Sequence, residues 1–167
     1  MTLEELNQLS PQELAVQLSN CCAAKNWVQG MVSVAPFKSK EILISAANRI
    51  WQELNHLDYL SAFDAHPRIG DVTTLKKKYA STQLTAGKEQ AGMVVASDCI
   101  IEKMKSLNDA YVEKFGFIFI VCATGKTAEQ MLELINQRIN NEYEKEIQIA
   151  AAEQMKITEI RLKKLLE

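Results

Sequence analysis

The chain has 167 residues, 47% hydrophobic and 24% charged, with a net charge of -2 at pH 7 and only two histidines. That length supports one domain with a real core, and six glycines and three prolines are too few for a collagenous or low-complexity chain. The near-neutral balance excludes a general nucleic-acid binder, because phosphate contacts need clustered surplus Lys and Arg. No apolar run approaches the roughly 20 residues of a membrane span, and the carboxylates of MTLEELNQLS stand where a signal peptide would carry positive charge.

A cytoplasmic protein is therefore expected. Cysteines stand at 21, 22, 99 and 122, with no CxxC and no Cys/His cluster at zinc-ligand spacing. Reduced, mostly buried thiols and no metal are the expectation.

Helix signals recur along the chain. Ser10-Pro11-Gln12-Glu13 combines an N-cap, a proline at the first helical position and an acidic third residue, and predicts a helix over 11–24. A second helix is expected over 27–34, stopping near Ala35-Pro36. Ser39 then caps a third, in which Ile42, Ala46, Ile50 and Leu54 recur at helical spacing and predict a buried face. A short piece over 59–63 leads into AHPRIGD, residues 65–71. Beyond it lie the basic LKKKYA, the polar spacer STQLTAG and a long helical pattern over 88–114, broken by Gly116. The run Phe117 to Cys122 is apolar without alternation; this suits a buried segment and does not separate strand from loop or helix. Thr127 and Gln130 form another capping-box pattern, opening a helix to about residue 140. One helix or a pair closes the chain over 142–166. The expectation is all-α, a compact helical bundle forming a single domain over 1–167.

His66 precedes Pro67, which disfavours the α region for it, so the imidazole should sit on a loop or turn outside the flanking helices. Such a ring either carries chemistry or hydrogen-bonds to hold its loop. Glu89 is a possible partner: at the start of a helix, free N–H groups and the dipole favour an ionised carboxylate, and beside His66 it could fix a tautomer and support proton transfer near neutral pH. Taken alone, Glu89 equally well complements the dipole, and Gln90 reads as surface. Arg161 lies with Ile157 and Leu165 at i, i+4 and i+8, its stem along an apolar ridge; the planar fork suits a carboxylate or ureido group, or the head simply reaches water.

Other patterns fail. Ala123-Thr124-Gly125-Lys126-Thr127 resembles the tail of a phosphate-binding loop, yet GxxxxGK[ST] needs glycine where Ile120 stands. Lys76-Lys77-Lys78 reads as a solvated face, and His56, Asp58, Asp64 and His66 lack a recognised metal spacing.

Taken together and in order, AHPRIG, Glu89-Gln90-Ala91-Gly92, FGFIFIVCATGKTA over 115–128 and KITEIRL over 156–162 resemble the OHCU decarboxylase family, as does Pro36-Phe37. These carboxy-lyases act on 2-oxo-4-hydroxy-4-carboxy-5-ureidoimidazoline, between urate and allantoin. The resemblance implies an all-helical fold, a homodimer, no metal and no organic cofactor. It implies catalytic roles for His66, Glu89 and Arg161, and a substrate pocket lined by Pro67, Gln90 and the backbone along Phe119, Ile120, Val121, Cys122 and Ala123. Many members carry serine three residues before the glutamate; here Ala86 stands there, so that hydroxyl is missing or comes from Thr85. Two competing hypotheses are a degenerate helical interaction module, which Ala86 motivates, and hydrolysis by a cysteine nucleophile, which thiol reagents would abolish.

Overall fold

Four of the helices begin on the same reciprocal device. Thr2, Ser10, Asn55 and Thr127 each accept the backbone N–H three residues on, and the side chains of Glu5, Glu13, Asp58 and Gln130 reach back to the cap backbone. The computed structural model describes residues 1–66 and 90–167, except for the side chains of 90–97. Within these the helices are α1 (Leu3–Gln8), α2 (Pro11–Cys21), α3 (Lys25–Ser33), α4 (Lys40–Gln52), α5 (His56–Asp64), α6 (Gln90–Phe115), α7 (Ala128–Arg138) and α8 (Tyr143–Leu165), and the described residues contain no strand.

The all-α expectation therefore holds, with local corrections. Helix α1 was not anticipated, although Thr2 and Glu5 carry its signal. Helix α5 is longer than the expected piece over 59–63, because Asn55 caps it three residues before Asp58. The end of the chain is one helix, α8. In α4 the buried residues are Leu43, Ala47, Ile50 and Trp51, while Ile42 is 47% exposed. The buried stripe is rotated by about one residue from the expected one, because Trp51 has much more apolar surface to bury than Ile42. The segment 117–123 has neither helix nor strand.

The chain groups into two compact units, residues 1–66 with 147–167, and residues 67–146. In the first, Leu6, Leu18, Trp27, Met31, Leu43, Phe63 and Leu162 are fully buried. Its two indoles are satisfied by carbonyls: Trp27 Nε1 donates to Ala47 O and Trp51 Nε1 to Ala151 O, each at 3.0 Å. Helix α3 approaches α4 so closely at Gly30 that a Cβ there would lie 2.7 Å from Ile50 Cγ2. Asn7 pins the segment after α3 by pairing its amide with both backbone groups of Phe37, at 2.8 Å each.

The second unit is organised around a charge. Glu146 is wholly buried, and its carboxylate collects the Tyr111 hydroxyl at 2.5 Å, Arg138 Nε at 2.7 Å and Asn141 Nδ2 at 2.9 Å. Arg138 Nη2 also lies 2.6 Å from the same carboxylate, close enough for an ion pair though not aligned as a hydrogen bond. Burial and the Glu146 carboxylate together hold the Tyr111 phenol well above its ordinary range, so it stays a donor. Around this polar knot the rings of Tyr111, Phe115, Phe117 and Phe119 pack at centroid distances of 4.6 to 5.9 Å.

Removing one partner of a buried ion pair strands the other charge, which typically costs about 3–5 kcal/mol. Glu146→Leu should therefore lower stability to urea by that order, and Arg138→Met with Glu146→Leu should recover part of the loss. Equal destabilisation by the single and double variants would show that the pair is not the reason.

Candidate functional site

His66 leaves the chain just past the end of α5, where its N–H still reaches Phe63 O at 3.0 Å and the fully buried Phe63 anchors the turn. The imidazole is half-buried, as a ring on a loop before a proline should be. Its Nε2 stands 2.5 Å from Oε1 of Gln154, on the middle of α8. Gln154 is 1% exposed, so its amide must be satisfied inside the protein. One end meets His66; the other donates from Nε2 to Thr158 Oγ1 at 3.3 Å, and the Thr158 hydroxyl donates to Gln154 O at 3.0 Å. The same hydroxyl interacts with the Cys22 thiol at the end of α2.

Arg161 continues this stripe, because 154, 158 and 161 fall at i, i+4 and i+7 on one helix face. Its Nη1 donates to Cys21 O at 3.2 Å, so the guanidinium covers a carbonyl left open at the C-terminus of α2. The ridge expected around it is not the buried face of α8. Ile157 and Leu165 are half-buried and Arg161 is exposed, whereas Ala151, Gln154, Met155, Thr158 and Leu162 are buried. The position thus gives Arg161 a fixed base and leaves its head accessible. Burial, opposed by the Arg161 charge, pushes the Cys21 thiol up to about 11, and burial raises Cys22 to about 11 as well. Both are protonated at neutral pH and poor nucleophiles.

In the other unit, the segment Phe119 to Ala123 is held from behind. Arg138 Nη1 donates to Ile120 O at 2.7 Å while its guanidinium lies 4.5 Å from the centre of the Phe119 ring. Lys126 Nζ donates to Cys122 O at 2.7 Å and its backbone N–H to Ala123 O at 3.1 Å. Ile120 and Cys122 are buried, and Phe119, Val121 and Ala123 are half-buried. The neighbouring Gly125 adopts φ +74, and Thr127 caps α7, so the ATGKT stretch is a turn and a helix start whose Lys126 is already engaged.

Pro67, Ala86 and Glu89 lie outside the described residues, as does the side chain of Gln90, whose backbone opens α6. Residues missed in the sequence are Gln154, Thr158, Arg138 and Glu146. The first two carried a usable signal: polar side chains spaced with Arg161 on a helix whose adjoining positions are Ala151, Met155 and Leu162. A cavity of about 250 Å³ in the first unit is lined by Trp51, Tyr59, Ala151 and Met155, with the Asn48–Glu159 hydrogen bond at its rim. It uses a different face of α8 from Gln154 and Arg161, and neither His66 nor these two lines it.

Comparison with known proteins shows the family. The profile of the OHCU decarboxylase family matches residues 7–163. The uric acid degradation bifunctional protein TTL of Arabidopsis thaliana is 34% identical over 145 residues, 87% of this chain, which spans only 45% of that relative's length. A 2-oxo-4-hydroxy-4-carboxy-5-ureidoimidazoline decarboxylase of Halalkalicoccus jeotgali is 27% identical over 166 residues, covering 99% of this chain and 92% of its own. Among solved structures, an OHCU decarboxylase crystallised in the presence of (S)-allantoin superposes with a TM-score of 0.70 at 33% identity, over 90% of this chain and 96% of that one. With a match running from the end of α1 into α8 and a helical architecture shared with a solved member, the chain belongs to the OHCU decarboxylase family.

Proposed function

We propose that this protein decarboxylates 2-oxo-4-hydroxy-4-carboxy-5-ureidoimidazoline to (S)-allantoin, with His66 and Glu89 in acid–base roles and Arg161 holding the substrate. The observation that supports it best is that His66 and Arg161, far apart in the chain, are both tied to one end of α2 and one stripe of α8, through Gln154, Thr158 and Cys22 in one case and Cys21 in the other. Seven residues separate Gln154 from Arg161, roughly 10 Å of helix at 1.5 Å per residue.

The substrate itself supplies the electron sink. When the C4 carboxylate leaves as CO2, its bonding pair moves into a C4–C5 double bond and displaces the ring C=N pair onto nitrogen, which takes up one proton. The resulting enol becomes the product when the 4-hydroxyl loses its proton and C5 gains one on a single face. No cofactor is needed for that sequence. His66 handles the proton delivered to C5, Glu89 engages the hydroxyl, and Arg161 offsets charge at the ureido or carbonyl end with its planar fork. The family resemblance assigns Pro67, Gln90, Ala86 and the Phe119–Ala123 backbone to substrate binding. The carbonyls of Ile120, Cys122 and Ala123 accept bonds from within the chain. The family resemblance extends the proposal to a cytoplasmic homodimer. Among the described residues no helix is long and apolar enough to cross a membrane.

The direct test generates the substrate fresh from urate and follows circular dichroism as product forms. Optically active allantoin should appear well above the buffer rate; racemic product at the buffer rate would sink the assignment. His66→Asn should lower kcat by about 10²- to 10⁴-fold with the helical spectrum unchanged. Arg161→Lys should fall short of wild type by about tenfold or more in kcat/KM, since an ammonium cannot make two parallel bonds. A thiol-directed reagent at neutral pH should modify Cys99, the exposed cysteine, rapidly, and leave the buried Cys21, Cys22 and Cys122 until unfolding, with turnover largely retained. Stoichiometric loss of turnover on modification of a buried thiol would favour the cysteine-nucleophile alternative.

A further inference from the structure

The segment from Phe119 to Ala123 is gripped at alternate carbonyls, from α7 and from the turn before it. Arg138 Nη1 donates to Ile120 O and Lys126 Nζ to Cys122 O, each at 2.7 Å. Neither the Ile120–Val121 nor the Cys122–Ala123 bond is cis, and in a trans peptide the N–H points opposite to the C=O. The Val121 and Ala123 N–H groups are therefore turned away from the two cations.

The two grips are not equally rigid. Lys126 is half-buried and reaches its carbonyl on a flexible stem. Arg138 is 7% exposed, and its Nε donates at 2.7 Å to Glu146, which is wholly buried and itself held by Tyr111 and Asn141. Because a guanidinium is planar, a carboxylate bound along one edge fixes where Nη1 points on the other. Its face also lies 4.5 Å from the centre of the Phe119 ring. Two consecutive residues outside regular structure thus rest on one side chain, Phe119 through its ring and Ile120 through its carbonyl. Stability alone does not call for that choice, since a buried ion pair is no more stabilising than well-packed apolar residues of similar volume. What the guanidinium adds is a directed donor to one peptide group.

We propose that Arg138 is a positioning residue for substrate binding, which sets the plane of the Ile120–Val121 peptide and with it the direction and donor strength of the Val121 N–H. This rests on the reading of Phe119–Ala123 as a substrate-binding segment. A charge-assisted bond to a carbonyl polarises its peptide group, so the N–H on the far side becomes a better donor. Such a donor suits an acceptor oxygen, and the proposed substrate carries these on its ureido, ring carbonyl and carboxylate groups. Glu146, Tyr111 and Asn141 act one step further back, by keeping the guanidinium from turning.

The test separates positioning from support. A variant that only loses support loses active molecules, which lowers the apparent kcat and leaves KM as it was. Arg138→Lys keeps a cation for Glu146 and lacks the second edge that reaches Ile120. Its KM for freshly generated substrate should rise about tenfold, with kcat per folded molecule within about threefold. The pH profile should stay as in the wild type, because His66 and Glu89 are untouched. In 15N-labelled protein the Val121 amide nitrogen should move upfield in this variant, reporting the lost bond to Ile120 O, and its response to added (S)-allantoin should shrink.

Arg138→Met with Glu146→Leu removes the same donor without stranding a charge, and should raise KM equally; it carries the test if Arg138→Lys does not fold. A wild-type KM in either folded variant would overturn the proposal, as would a wild-type Val121 amide that ignores (S)-allantoin while turnover is normal. A wild type that forms no allantoin at all would remove the proposed function, and this role for Arg138 with it.

Discussion

The last helix carries three polar side chains into places that water does not reach: Glu146 at 0%, Gln154 at 1% and Thr158 at 1% exposure. A buried polar group without partners costs far more than a satisfied one gains, so each of these must be met from elsewhere in its own unit. The groups that meet them connect to segments singled out as candidate site residues in the sequence. Glu146 recruits Arg138, and Arg138 fixes Ile120 in the apolar segment. Gln154 meets His66, and Thr158 meets Cys22. Most of the packing around α8 is apolar and tolerant of substitution; these few contacts are directional and set where loops without regular structure come to rest.

Loops need such directional fixings because they lack a ladder of their own. His66 has left α5, and residues 117–123 have left α6 after Gly116 with φ +77. In both places a buried side chain on a helix supplies what secondary structure does not: Phe63 and Gln154 around His66, and Arg138 around Ile120. Rigid support behind a side chain is what holds it in one geometry for any ligand it meets. The buried thiols of Cys21 and Cys22, held protonated, add bulk at the end of α2 without adding reactivity.

Much of this was legible in the sequence. The capping signals at Ser10, Ser39 and Thr127 located three helix starts, because a cap is a local hydrogen bond between residues three apart. The motif order AHPRIG, Glu89-Gln90, the apolar run and KITEIRL pointed to the family that the wider match over 7–163 shows. The face of α4 and the surroundings of Arg161 were read less well. Periodicity names stripes on a helix, but which stripe is buried depends on what packs against it: Trp51 drew one face inward, and Arg161 ended beside the buried row of α8 instead of on it.

The sequence by itself determined the helical class, the position of His66 outside a helix and the chemical types at the candidate site, since these follow from backbone restrictions and local spacing. Tertiary structure alone decided that the imidazole meets Gln154, 88 residues away, and that Arg138 reaches back 18 residues to hold Ile120. The physical reason is that a hydrogen bond between distant residues leaves no period in the sequence. It exists only once the fold has removed water from both partners and left each the other as its means of satisfaction.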